Sequence, residues 1–216
     1  MKMQWLGQAS FHIVTDDGVA IRTDPYDSSL GFELSTLPAD IVTISHEHYD
    51  HAAFDTVPGD PVLVRGPGEH QVRGITFRGL ESFHDDRGGL ERGTNTIFTF
   101  SADGVVICHL GDLGQLLTSE QIRSIGPVDV LCVPVGGTYT LGAAGATAVM
   151  DQLGPRLTVP MHYRVNGLRL PIDGVSPFLR GKTNVRTHVA LELTRDSLPR
   201  EPAVVVLTLA VPLSGF

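Results

Sequence analysis

Three of the chain's nine histidines fall within one run, Ser45-His46-Glu47-His48-Tyr49-Asp50-His51. Imidazole and carboxylate groups without thiolate form a donor set suited to Zn, Mn or Fe. In extended backbone, residues two apart face the same side, so His46 and His48 are expected to share one ion. Asp50 and His51 follow where the chain turns toward Ala52-Ala53-Phe54, and should face a second position close by. Isolated histidines such as His12, His70 and His188 read as ordinary core or surface residues. Four ligand-type side chains crowded at a strand end do not, because the desolvation they suffer needs a compensating partner.

The run leaves the end of an apolar segment, PADIVTIS (Pro38 to Ser45), and that segment belongs to a pattern written twice. Phe11 to Asp24 reads as two strands joined at Asp17-Gly18, and Ile97 to Ile107 repeats the arrangement around Asp103-Gly104. Asp-Gly between alternating apolar runs is a strong hairpin signal. Each hairpin is followed by Pro, an Asp two residues on, and an apolar run: PADIVTIS in one half, PVDVLCVP (Pro127 to Pro134) in the other. The turn glycines Gly18 and Gly104 lie 86 residues apart and the aspartates Asp40 and Asp129 lie 89 apart. This order points to an internal duplication, with halves of about 1–95 and 96–216 in a single domain. Helices are expected from a cap at Thr118-Ser119 and over Ala143 to Leu153, where Gly154-Pro155 stops the helix. Strands outnumber helices and each half is expected to close with a helix. The layered solution is an α/β (α+β) four-layer αββα sandwich with a cleft between the halves.

These residues resemble the metallo-β-lactamase superfamily, whose signature is H-x-H-x-D-H after an apolar strand. The likeness extends over nearly the whole chain. WLGQASFHI followed by RTDPY, then GDLG (Gly111 to Gly114), PVGGTY (Pro134 to Tyr139) and PMHY (Pro160 to Tyr163), resemble in that order the branch containing ascorbate-6-phosphate lactonase and related metal-dependent hydrolases. The resemblance implies two divalent metal ions, Zn first among the candidates. His46, His48 and His84 would hold one ion, Asp50, His51 and His162 the other, and Asp112 would bridge them. His109 is the competing candidate for the place of His84. The family sets this ligand on a loop well before the bridging Asp, which favours His84 and leaves His109 to support or pack. Asp24, at the end of the first hairpin, is expected to fix a ligand imidazole. Water activated between the ions would attack a carbonyl or phosphoryl centre, and Asp50 would orient it and shuttle its proton.

Composition narrows the substrate. Lys+Arg 16 against Asp+Glu 24 gives a net charge of −8, which argues against a nucleic-acid backbone as partner. The apolar stretch Ala203 to Leu213 is too short and too interrupted to span a bilayer, and the opening QWLGQASFH is too polar for a signal peptide's apolar region. Cys108 and Cys132, each within an apolar run, read as buried free thiols. A cytoplasmic protein acting on a small molecule, with no membrane partner, is the expectation; oligomeric state is invisible here. Arg87, Arg92 and Arg164 are candidate anion-binding residues, and Tyr139 is a candidate cleft residue. An ester, lactone or phosphoester of a small anionic molecule fits. The alternatives are a mononuclear iron dioxygenase acting on a thiol and a non-catalytic metal-binding module.

Overall fold

The computed structural model of the chain describes residues 1–210. Strands β1 (Lys2–Gly7), β2 (Ser10–Val14), β3 (Ala20–Thr23), β4 (Ile41–Ile44) and β5 (Val62–Arg65) form one sheet in that order. The other sheet takes β6 (Gly68–Val72), β7 (Ile75–Phe83), β8 (Thr94–Ala102), β9 (Val105–His109), β10 (Val130–Pro134) and β11 (Leu157–Met161) in order, then β14 (Ala203–Leu207) and β12 (Val185–His188). The short β13 (Leu191–Glu192) returns to the first sheet and pairs with β1. Helices α1 (Ser119–Ile125), α2 (Ala143–Leu153) and α3 (Ser176–Leu179) complete the described elements.

The duplication is visible in individual hydrogen bonds. The antiparallel pair β2–β3 is followed by β4 parallel to β3, and β8–β9 is followed by β10 parallel to β9. In the first set the Asp40 carboxylate accepts from Ala20 N (2.9 Å) while Asp40 N donates to Ala20 O (2.8 Å). In the second, Asp129 does the same with Val106, at 2.9 and 3.0 Å. The Asp after each Pro therefore locks the crossover strand into register. At the second turn, Asp103 and Gly104 both take positive φ (51° and 74°), the conformation whose twist suits a two-residue hairpin.

Between the sheets, Trp5, Phe11, Ile21, Phe77, Phe98 and Val133 belong to one buried cluster drawn from both. Trp5 stacks on Tyr163 with ring centroids 4.8 Å apart. Burial of this kind contributes roughly 1.5–3 kcal/mol per large side chain. Cys108 and Cys132 are buried free thiols, and burial pushes both above their ordinary range.

Two expectations need correction. The boundary near residue 95 falls inside β8, and the chain changes sheet between β5 and β6. The repeat therefore aligns β1–β5 with β7–β11. The three α-helices all follow β9, and no α-helix closes the first half among the described residues. There the chain from 25 to 40 begins and ends near prolines and makes only a short 3-10 turn, Ser28–Leu30. Tyr26, Leu30 and Phe32 pack with Leu6 as a separate apolar cluster instead of a helix face. The two expected helices are found as read: Thr118 and Gln121 form a capping box for α1, and Gly154 ends α2 in the left-handed conformation. No described helix is long and apolar enough to cross a membrane. Of the stretch Ala203 to Leu213, positions 211 to 213 lie outside the described residues.

Candidate metal centre

Each candidate ligand sits just past the C-terminal end of a strand: His46 to His51 after β4, His84 after β7, Asp112 after β9 and His162 after β11. The Ser45–His51 segment bends instead of continuing as a strand, contrary to the extended conformation expected. His48 O accepts from both His51 N and Ala52 N (2.9 Å each), a turn that folds Asp50 and His51 back toward the sheet end. Glycines make the close approach possible. A Cβ on Gly111 would meet Asn95 and Ser45, and one on Gly114 would meet the His84 backbone, which explains both ends of Gly-Asp-Leu-Gly.

The seven residues gather into two adjoining clusters, His46-His48-His84 and Asp50-His51-Asp112-His162, with ligand atoms in each within 4.8 Å of one another. His46 Nε2 and His48 Nδ1 stand 3.0 Å apart. Asp112 faces both groups: Oδ2 lies 3.2 Å from His84 Nε2, 3.2 Å from His162 Nε2 and 3.9 Å from His46 Nε2. Its Oδ1 lies 3.2 Å from His51 Nε2.

Hydrogen bonding around the cluster fixes where the lone pairs point. Ser45 Oγ donates to Asp24 Oδ2 (2.6 Å), so it accepts from His46 Nδ1–H (2.9 Å) and leaves His46 Nε2 as an acceptor facing His48 Nδ1. His51 Nδ1–H donates to Asp24 Oδ2 (2.9 Å), again leaving Nε2 toward the carboxylates. His51 Nε2, His162 Nε2 and Asp112 Oδ1 are buried without a hydrogen-bond partner. Acceptors facing acceptors in a buried space require a cation or a proton between them, and the donor set fits divalent metal. Burial, then the neighbouring His51, pushes His46 down to about 3, so its ring is neutral at ordinary pH. Burial alone would lower His51, but Asp112 and Asp50 outweigh it and hold its value well above the ordinary one. Against burial, His162 and His51 keep Asp112 well below the usual carboxylate range, and His51 does the same for Asp50.

Asp24 stands where the sequence placed it, buried at φ 35°, bonded to Ser45 and His51. His109 is outside both clusters. Its Nδ1 accepts from Gly111 N (3.3 Å) and its Nε2 donates to Ala9 O (2.8 Å), so it steadies the backbone leading to Asp112. Arg92 and Tyr139 line a cavity of about 330 Å³ over the clusters, together with Tyr49 and Leu170. The Arg92 guanidinium donates to Thr138 O (3.3 Å) and lies 5.8 Å from the Tyr139 ring centre. Arg87 and Arg164 do not line this cavity: Arg87 pairs with Glu91 on the surface, and Arg164 is exposed. Direction of a side chain on an irregular loop was not readable from residue type.

Four supporting residues escaped the sequence reading. Gln8 Nε2 donates to Asp50 Oδ2 (2.8 Å), and Asn95 Oδ1 accepts from Asp112 N (2.9 Å). Ser45 links Asp24 to the His46 ring. Asp85, directly after His84, accepts from four backbone N–H groups, those of Arg87, Gly89, Glu91 and Arg92. These bonds overcome desolvation and hold its carboxyl down to about 2.

A two-sheet sandwich with paired histidine and carboxylate clusters at the strand ends defines a metal-dependent hydrolase of the metallo-β-lactamase kind. The family model for a beta-lactamase superfamily domain matches residues 2–162, and the chain belongs to that superfamily. It is 30% identical over 190 residues to a UPF0173 metal-dependent hydrolase of Methanoculleus marisnigri, covering 76% of this chain and 81% of the relative. A similarly described protein of Thermococcus onnurineus is 28% identical over 191 residues, covering 76% and 84%. Among solved structures, a Thermotoga maritima protein assigned as a Zn-dependent hydrolase of the metallo-β-lactamase superfamily superposes with a TM-score of 0.80. The two are 37% identical, over 95% of this chain and 97% of that one.

Proposed function

We propose that the chain is a two-ion hydrolase that cleaves an ester, lactone or phosphoester bond of a small anionic molecule. Zn is the first choice of ion, with Mn or Fe as alternatives. The observation that carries the reading is the Asp112 carboxylate, which faces His84 and His162 at 3.2 Å through one oxygen and His51 at 3.2 Å through the other. His46, His48 and His84 would hold one ion and Asp50, His51 and His162 the other, with Asp112 shared. Bound there, the ions would supply Lewis acidity and lower the pKa of water toward neutrality. Asp50 lines the cavity, and its carboxylate would orient a water molecule by accepting its hydrogen bond and would shuttle the proton the water releases. Arg92 offers the charge for an anionic group, and Tyr139 gives that group an aromatic wall. A cavity of about 330 Å³ suits a small molecule, and the net charge of −8 supports a substrate other than nucleic acid. Two free buried thiols support a cytoplasmic setting.

The test is metal content per chain by elemental analysis for wild type and His162→Ala, with hydrolysis of bis(p-nitrophenyl) phosphate and of a simple lactone. About two ions per chain, falling toward one with activity lost in the variant, is expected. The faster substrate then selects phosphodiesterase or lactonase. One iron per chain, indifferent to the substitution, would replace this reading with the mononuclear dioxygenase.

A further inference from the structure

Gln8 occupies the tight turn between β1 and β2, with Gly7 at φ 109° and Gln8 itself at φ 51°. Left-handed backbone at such a turn favours Gly or Asn, and nothing in the backbone calls for glutamine. The side chain is nevertheless 1% exposed, and its Oε1 is buried without a partner. A buried amide with one end idle is unfavourable relative to an apolar residue, so the end that is engaged must account for it. That end is Nε2, 2.8 Å from Asp50 Oδ2; the reversed amide would set oxygen against oxygen. No shorter contact to the Asp50 carboxylate is found among the described residues, His51 Nε2 standing at 3.5 Å. The Gln8 carbonyl is equally committed, accepting from His162 N (3.0 Å) and from Trp5 Nε1 (2.9 Å).

Asp50 and His162 reach the second cluster from different sheets, one after β4 and the other after β11. Gln8 touches both: its amide fixes the carboxylate and its carbonyl fixes the histidine backbone, itself at φ 50°. We propose that Gln8 is the positioning residue of the second metal site, joining the two sheets' contributions and setting the affinity of that site separately from the first. This rests on the two-ion reading above.

The experiment is a titration of metal-free protein with Zn²⁺ against a chromophoric chelator, for wild type, Gln8→Met and Gln8→Asn, with thermal unfolding of each metal-free form. Met keeps the volume and removes the donor. Asn accepts the left-handed turn more readily but falls one methylene short of Asp50, so it separates reach from turn stability. The expected result is an unchanged first equivalent and a second weakened about 10–100-fold in both variants, with the metal-free Gln8→Asn unfolding no earlier than wild type. Two unchanged equivalents in both variants, or equal weakening of both equivalents, would overturn the assignment while leaving the two-ion reading intact. A wild type that takes one equivalent overturns the two-ion reading. In that case, weakening of the single equivalent by Gln8→Asn still supports the hold on Asp50, and no change overturns it.

Discussion

The corners after β4 and β10 are built on the same frame and do different work. Asp24 N donates to Thr43 O across one corner (2.9 Å), and Leu110 N donates to Cys132 O across the other (3.1 Å). The first corner then carries Ser45 to His51 and the supporting Asp24. The second carries Val135-Gly136-Gly137-Thr138-Tyr139, with Leu110 in the place of Asp24. Gly136 is pressed so closely on the His162 carbonyl that no side chain fits there. The duplicated hydrogen bonds have thus been kept, while one copy carries candidate ligands and the other carries glycines and one cavity wall, Tyr139. A crossover strand in this fold supplies position, and the chemistry is added to it.

The strongest way to break this division is Asp112→Ala, which removes the carboxylate shared by both clusters. Elemental analysis should show loss of both ions. Hydrolysis should fall by more than the roughly 10–100-fold typical for losing a supporting partner. Asp24→Asn comes next. Its amide nitrogen would face donors at Ser45 and His51, so competitive titration should show metal affinity reduced about 10–100-fold with the fold intact.

Acidity sharpens the contrast further. In metal-free protein the raised His51 value adds stability that is present below its ordinary 6.5 and is lost as pH rises through the raised value. Metal must displace the proton His51 retains, so the rise in Tm on adding Zn²⁺ should grow as pH climbs above about 6.5. On the acid side, Asp50 and Asp112 contribute stability above about 3.8 that is lost as pH falls toward their depressed values. Differential scanning fluorimetry across pH, with and without metal, reads both limbs. The smallest effects should come from the frame itself. Asp40→Ala and Asp129→Ala each delete one equivalent strand-locking bond, and each should cost about 1 kcal/mol in denaturant unfolding without changing metal stoichiometry.

How far the sequence could be read follows from this division. The frame was legible because Asp-Gly turns and the Pro-x-Asp entries are local signals with local causes. The candidate cluster was legible because imidazoles and carboxylates at strand ends have few other uses, and His84 stands 3.2 Å from Asp112, where the family resemblance places it. Gln8 and Asn95 were not legible, since each acts through a hydrogen bond to a residue at least 17 positions away. Helical closure of the first half failed for a physical reason: Gly31, left-handed at φ 93°, ends the Ser28–Leu30 turn, and Tyr26, Leu30 and Phe32 pack with Leu6 in place of a helix face. Arg87 and Arg92 differ by five positions and were equal candidates. Asp85 clamps the backbone of both, and contacts distant in sequence, to Thr138 O and the Tyr139 ring, set Arg92 at the cavity.

That clamp makes the loop a replaceable cassette. Asp85 fastens both its arms through main-chain groups alone, so the frame from 85 to 93 does not depend on which side chains stand between the glycines. Leu90, at its tip, is 86% exposed. Positions 86, 87, 90 and 91 can therefore be exchanged for other non-proline residues, while Gly88 and Gly89, at φ 69° and 83°, must stay. On the function proposed above, such a loop would let recognition change while the metal cluster beneath it keeps its shape.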